Sequence, residues 1–170
     1  MFPIYRTPES KSILMKEYEH ILARWRQPCE RHMVSTDIGE TFVISSGNPD
    51  GSPLLLLHGS TTNAALWLFD AATLGEKHRI YALDIVGEPG KSADVRPPLE
   101  PDTYVTWLSQ VMDGLGLEKA AVAGNSLGVI QPVVLNALGR GSRIVIGDEV
   151  GISGCTICAV SSVTIGDRVM

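Results

Sequence analysis

Histidine is scarce in this chain and stops early: His20, His32, His58 and His78 are the four it has, and none follows position 78. That rules out an imidazole base supplied by any later residue of the chain. Cysteine is also sparse, with Cys29, Cys155 and Cys158 making an odd count of three and no disulfide framework, which fits a reducing compartment. Positive charge is neither abundant nor clustered. With no Lys/Arg run, a net charge of -5 and a pI near 5.3, the chain lacks the surface that binds nucleic acid or anionic membrane. No apolar run approaches the roughly 20 residues that cross a bilayer, and the N-terminus lacks the basic, apolar and small-residue succession of a signal peptide. A cytoplasmic location is the resulting expectation.

What is present is enough for one ordinary domain in 170 residues, or two if one is small. Thr7-Pro8-Glu9-Ser10 predicts a helix start, with Thr7 as cap and Pro8 in the first helical position. Ile13, Leu14, Tyr18, Ile21, Leu22 and Trp25 fall along its predicted apolar face, and Pro28 ends it. Residues 32–36 and 41–45 read as strands joined by a hairpin at Asp37-Ile38-Gly39-Glu40, and Pro53 to Leu57 reads as a strand buried on both faces. The pattern then alternates: helix over 63–74, strand over 79–86, helix over 102–115, strand over 119–123. Such alternation predicts a mostly parallel sheet with helices on its faces and functional loops at the strands' carboxyl ends.

Gly124-Asn125-Ser126-Leu127-Gly128 directly follows the last of those strands. A G-x-S-x-G run between strand and helix holds a serine on a sharp turn that glycines permit, lifting its hydroxyl clear of the sheet. A serine hydroxyl is a weak nucleophile without an adjacent base. Just beyond, Pro132 would clash with the carbonyl of Gly128 inside a helix, so the helix there is expected to be short or absent. After residue 140 the pattern changes again. Ile146-Gly147-Asp148-Glu149-Val150 recurs as Ile165-Gly166-Asp167-Arg168-Val169, short apolar pulses with Gly-Asp corners like the stacked coils of a parallel β-helix.

These motifs carry two resemblances. From about Phe42 to Gly128 the chain resembles the α/β-hydrolase superfamily. Leu54-Leu55-Leu56-Leu57-His58-Gly59 is similar to its third strand and oxyanion loop, Asp84 to Ser92 to the loop after its fourth strand, and Gly124 to Gly128 to its nucleophile elbow. The resemblance implies a serine hydrolase acting on a carboxylic ester or related acyl substrate, with Ser126 as nucleophile and the N–H groups of Leu127 and Ser60 as oxyanion donors. The acid and the histidine of the family's triad have no counterpart here, so an inactive or severely impaired catalyst is expected. From about Ile130 to Met170 the chain resembles the hexapeptide-repeat acyltransferases with left-handed β-helices, over about two coils and without their histidine base.

Other candidates have local explanations. Gly87 to Ser92 imitates a phosphate-binding P-loop, but Ile85 stands where that motif needs glycine. Cys155 and Cys158 have C-x-x-C spacing without a second ligand pair, Asp148, Glu149 and Asp167 sit at turn-like corners, and His58 belongs to the oxyanion loop. No cofactor and no metal is expected. The sequence thus predicts an α/β fold in two parts: residues 1–128 as an incomplete α/β-hydrolase-like domain through the elbow, and 129–170 as a short β-helix-like fragment. The alternative function is a non-catalytic chimeric scaffold whose tail mediates oligomerisation. The expected partners are a small acyl substrate and further copies of the chain, through an exposed sheet edge or the tail.

Overall fold

The computed structural model describes residues 4–98, 102–124, 134–137, 143–146, 156–159 and 162–165. Helix α1 spans Pro8–Leu22 and begins as expected. Thr7 Oγ1 accepts the Ser10 N–H at 3.1 Å, and Ser10 Oγ accepts the Thr7 N–H at 3.2 Å, which satisfies two of the orphan donors of the first turn. The buried stripe is narrower than the sequence suggested. Tyr18 and Leu22 are buried, as is Trp25 just past the helix, whereas Ile13 and Ile21 face solvent at 67% and 39% exposure. Those two sit one position off the i, i+4 row that Tyr18 and Leu22 share, on the side away from Met15, which packs against the same core.

Strands β1 (Cys29–Thr36) and β2 (Gly39–Gly47) form an antiparallel hairpin in which Thr36 pairs with Gly39, leaving only Asp37 and Ile38 in the turn. Gly39, at φ 115°, belongs to the ladder rather than to the loop, and a Cβ there would lie 2.5 Å from that of Ala93. Strand β3 (Ser52–Leu57) pairs in parallel with both β4 (His78–Leu83) and β5 (Ala121–Gly124), and β2 pairs antiparallel with β4, giving the order β1-β2-β4-β3-β5. Only β2 opposes the others in direction. The sheet is therefore mixed in its pairings, though mostly parallel in strand direction.

The expected helix over 63–74 is two pieces, a 3-10 turn at Ala64–Trp67 and helix α2 at Asp70–Leu74, with exposed Phe69 between them. Its first turn is pinned twice. Asn63 Oδ1 accepts the Ala65 N–H, and the Ala64 N–H donates to the buried Asp84 carboxylate, so Trp67 and Leu68 turn inward on a tighter spiral than an α-helix allows. Helix α3 spans Thr103–Gly114. Period-2 alternation along β3 divides the interior. Leu54 and Leu56 join Tyr18, Phe42, Trp67 and Ile80 on the α1 and α2 face, while Leu55 joins Val43, Leu83, Trp107 and Val111 on the α3 face.

Four further strands are described: β6 (Val134–Ala137), β7 (Arg143–Ile146), β8 (Thr156–Ala159) and β9 (Ser162–Ile165). They pair in parallel as β6 with β8 and β7 with β9. The second pairing sets Ile146 opposite Ile165, the leading residues of the two copies of the repeated pentad. β8 comes within contact distance of β5 without forming a ladder with it. The Gly-Asp corners at 147–148 and 166–167, together with Glu149 and Cys155, lie outside the described residues.

Candidate active site

Three strands, β3, β4 and β5, end together. The register pairs Leu57 with Leu83 on one side and with Gly124 on the other, so the segments that leave these strands start at one level of the sheet. From β3 comes His58-Gly59-Ser60-Thr61-Thr62; from β4 comes the loop 84–98; from β5 comes the G-x-S-x-G run, which begins at Gly124. Ser126 and Leu127 themselves lie outside the described residues, as does the predicted helix break at Pro132. Ser60 is described. It is exposed, and its backbone N–H has no hydrogen-bond partner among the described residues.

His58 is buried, and both ring nitrogens are committed. Nε2 accepts the Ile85 N–H at 2.9 Å, which requires the proton on Nδ1, and Nδ1–H donates to Gly59 O at 2.8 Å. The ring is thus a rivet between the ends of β3 and β4. Burial pushes its pKa below the ordinary value of 6.5, against the pull of the Gly59 carbonyl, Asp84 and Glu88. The remaining histidines are elsewhere. His20 is exposed on α1, His78 opens β4 at the far end of the sheet, and His32 contacts Ser45 Oγ at 2.8 Å. His32 sits on β1, four strand spacings or about 19 Å across the sheet from β5.

Asp84, the first residue past β4, which stops at Leu83 and so short of the predicted strand over 79–86, organises the loop beside the site. It is fully buried; Oδ1 accepts the Tyr18 hydroxyl at 2.7 Å and the Ala64 N–H at 2.8 Å, and Oδ2 accepts the Lys91 N–H at 2.7 Å. Burial raises its pKa above the ordinary 3.8, opposed by the two backbone donors and then by Tyr18. The Tyr18 phenol is raised far above its usual range by burial and by the adjacent carboxylate. Tyr5 adds a second tie, its hydroxyl donating to Gly90 O at 3.1 Å and accepting the Gly90 N–H at 3.0 Å.

This arrangement also disposes of nucleotide binding by the Gly-Lys-Ser stretch. The Lys91 N–H is spent on Asp84, Lys91 Nζ on Glu19, and Ser92 Oγ both donates to Asp84 O at 2.5 Å and accepts the Phe42 N–H at 2.9 Å. A phosphate would find these groups already taken. Among the described residues no group of three or more His, Cys, Asp or Glu side chains is placed to hold a metal ion.

Above the sheet end is a cavity of about 400 Å³ lined by Ser60, Thr61, Gly87, Glu88, Arg96, Pro97 and Tyr104. Glu88 closes one wall, with Oε1 accepting the Ser60 hydroxyl at 3.2 Å and Oε2 accepting the Thr61 N–H at 2.7 Å. Thr61 has φ 64°, left-handed backbone that costs a β-branched residue on the order of 1–3 kcal/mol. Sequence reasoning found the His58-to-Ser60 loop but missed Glu88, Asp84 and Tyr18. The available signal was a carboxylate ending an apolar strand, at Asp84, where an unpaired charge could not be left in the core.

No family model matches the chain. The uncharacterized carboxylesterase nap of Bacillus subtilis (strain 168) is 39% identical over 111 residues, covering 65% of this chain and 37% of that protein. The carboxylesterase YbfK of the same organism is 37% identical over 120 residues, covering 71% of this chain and 40% of the relative. The crystal structure of naproxen esterase (carboxylesterase NP) from Bacillus subtilis superposes with a TM-score of 0.66 at 35% identity, covering 73% of this chain and 43% of that one. These are carboxylesterases of the α/β-hydrolase fold, and the sheet and flanking helices described above share that fold. The chain spans about two fifths of the length of these two carboxylesterases.

Proposed function

We propose that this chain carries the nucleophile and oxyanion-binding part of a serine hydrolase for carboxylic esters or related acyl compounds, and that by itself it is inactive or severely impaired. Ser126 is the nucleophile, and the N–H groups of Leu127 and Ser60 receive the developing oxyanion. The observation that carries this reading is the pairing of Leu57 with Gly124, which starts the His58-Gly59-Ser60 loop and the G-x-S-x-G run side by side. The names of the similar Bacillus proteins, both carboxylesterases, support the substrate class.

Attack by the Ser126 oxygen on an ester carbonyl forms the C–O bond only as the hydroxyl proton leaves for a base. No histidine of this chain is suited to take it. His58 offers no free ring nitrogen, its lowered pKa makes it a poor proton acceptor, and His32 is on the far strand. Loss of the base in a Ser-His-Asp enzyme costs on the order of 10⁶ in kcat, leaving roughly 10³ to 10⁴ over water from the oxyanion donors and binding. The test is p-nitrophenyl acetate hydrolysis together with fluorophosphonate labelling of the whole chain. Slow hydrolysis that falls further in Ser126→Ala supports the proposal. Labelling of Ser126 within minutes overturns the claim of impairment, and hydrolysis indifferent to Ser126→Ala overturns the nucleophile.

A second reading rests on a separate observation. The in-register pairing of Ile146 with Ile165 favours stacked repeat coils for the C-terminal segment, similar to hexapeptide-repeat acyltransferases. On that reading the segment is a non-catalytic assembly element. Sedimentation equilibrium separates the two: a trimer of inert protein supports the scaffold, and a monomer opposes it.

A further inference from the structure

One carboxylate in the cavity is not used by the reading above. Glu88 directs both oxygens at a single loop, one to the Ser60 hydroxyl and one to the Thr61 N–H. Thr61 holds a positive φ that a β-branched residue adopts only when something fixes it there, and no glycine relieves it. The residue immediately before it, Ser60, lines the cavity, and its N–H has no partner among the described residues.

We propose that Glu88 is the positioning residue of the oxyanion loop: its two acceptor bonds hold Thr61 in left-handed backbone and thereby keep the Ser60 N–H turned toward the cavity. The inference rests on the serine-hydrolase reading. It also explains how a carboxylate is tolerated beside a site for negative charge. Both oxygens accept from loop donors, so the charge at the cavity wall is offset by the Ser60 hydroxyl and the Thr61 N–H. Glutamine at this position retains a carbonyl for the Thr61 N–H and an amide that donates to the Ser60 hydroxyl, so it keeps the geometry while removing the charge.

The experiment compares wild type, Glu88→Ala, Glu88→Gln and Ser126→Ala in the full chain. Two quantities are read: amide hydrogen exchange at Thr61, and affinity for phenylboronic acid, whose boron accepts the serine oxygen to form a tetrahedral anion while the hydroxyl proton goes to solvent. Glu88→Ala is expected to speed Thr61 exchange and weaken boronate binding, each by about ten-fold or more, as losing hydrogen bonds to a charged acceptor should. Glu88→Gln is expected to stay within about three-fold of wild type on both, because the amide preserves both bonds. Thr61 exchange unchanged in Glu88→Ala overturns the positioning role. So does boronate affinity that falls equally in Glu88→Ala and Glu88→Gln, which would assign the effect to charge. If wild type fails to bind the boronate, or binds it as Ser126→Ala does, the nucleophile reading fails while Thr61 exchange still decides the role of Glu88. Should Glu88→Ala not fold, Glu88→Asp replaces it; one methylene shorter, it cannot span both donors and is held to the same outcomes.

Discussion

Replacing Tyr18 by phenylalanine removes one oxygen from the middle of the molecule and leaves the packing in place. The ring keeps its edge-on contact with Phe42, at 6.4 Å between centroids, and stays shielded, since Tyr18 is only 2% exposed. What is lost is the 2.7 Å hydrogen bond to Asp84 Oδ1, made at a site shielded from bulk solvent. A hydrogen bond to a charged acceptor contributes about 1.5–3 kcal/mol. Asp84 is not orphaned, because the Ala64 and Lys91 N–H groups remain at 2.8 and 2.7 Å, so the expected cost is near the middle of that range, about 2 kcal/mol. For a chain of this size that lowers Tm by roughly 4–8 °C. The pH dependence has a definite sign. Burial holds the Asp84 pKa above 3.8, so in the window between its unfolded and folded values the folded chain binds more protons, and stability falls as pH rises through that window. Removing the Tyr18 donor raises the folded value further and widens the window. The penalty of Tyr18→Phe is therefore largest at neutral pH and shrinks on acidification. Urea denaturation at several pH values, with Asp84→Asn and the double variant completing a cycle, measures it. A penalty under about 0.5 kcal/mol, or one that does not change with pH, would refute the reasoning, since either means the carboxylate does not depend on this donor.

Two further substitutions probe the same region. Gly90→Ala places a methyl 2.5 Å from Asp84 Oδ2 and 2.7 Å from its Cγ, against a carboxylate fixed by three donors; a loss of about 2–3 kcal/mol in thermal or urea unfolding is expected, and a neutral result would show that the loop yields. His58→Leu strands the Ile85 N–H, while the Gly59 carbonyl keeps the Thr62 hydroxyl at 2.7 Å, and should cost about 1–3 kcal/mol. Because burial depresses the His58 pKa below 6.5, the unfolded chain binds more protons there, and wild type should lose stability as pH falls below that value. His58→Leu should show a flatter profile over the same range, and an unchanged slope would assign the proton uptake elsewhere.

The sheet was legible because its signals are local: alternation along each strand, Thr7 and Pro8 at a helix start, and a four-leucine strand too apolar to face water on either side. The helix over 63–74 was misread because its break is imposed from outside. Nothing in residues 63–74 announces that the Ala64 N–H will be captured by a carboxylate twenty positions later. The same holds for α1, where Ile13 and Ile21 satisfy a helical period as well as Tyr18 and Leu22 do, and only packing against the core decides between them. At the site, the placement of His58 within its own loop was legible from the resemblance that the His-Gly run carries. Glu88 was not, since a glutamate in a Gly-Pro-Gly loop reads as solvent-facing until the loop it meets is in place.

The bond between Tyr18 and Asp84 joins positions 66 residues apart, and α1 is synthesised well before its anchor exists. On the ribosome the first helix must wait, amphipathic and undocked, until the end of β4 emerges, and only then can the crossing to Gly90 through Tyr5 close. Its assembly is thus laced from the outside in: α1, made before β4, is tied down only after it, and a change at Tyr5 would act on the knot rather than on the sheet.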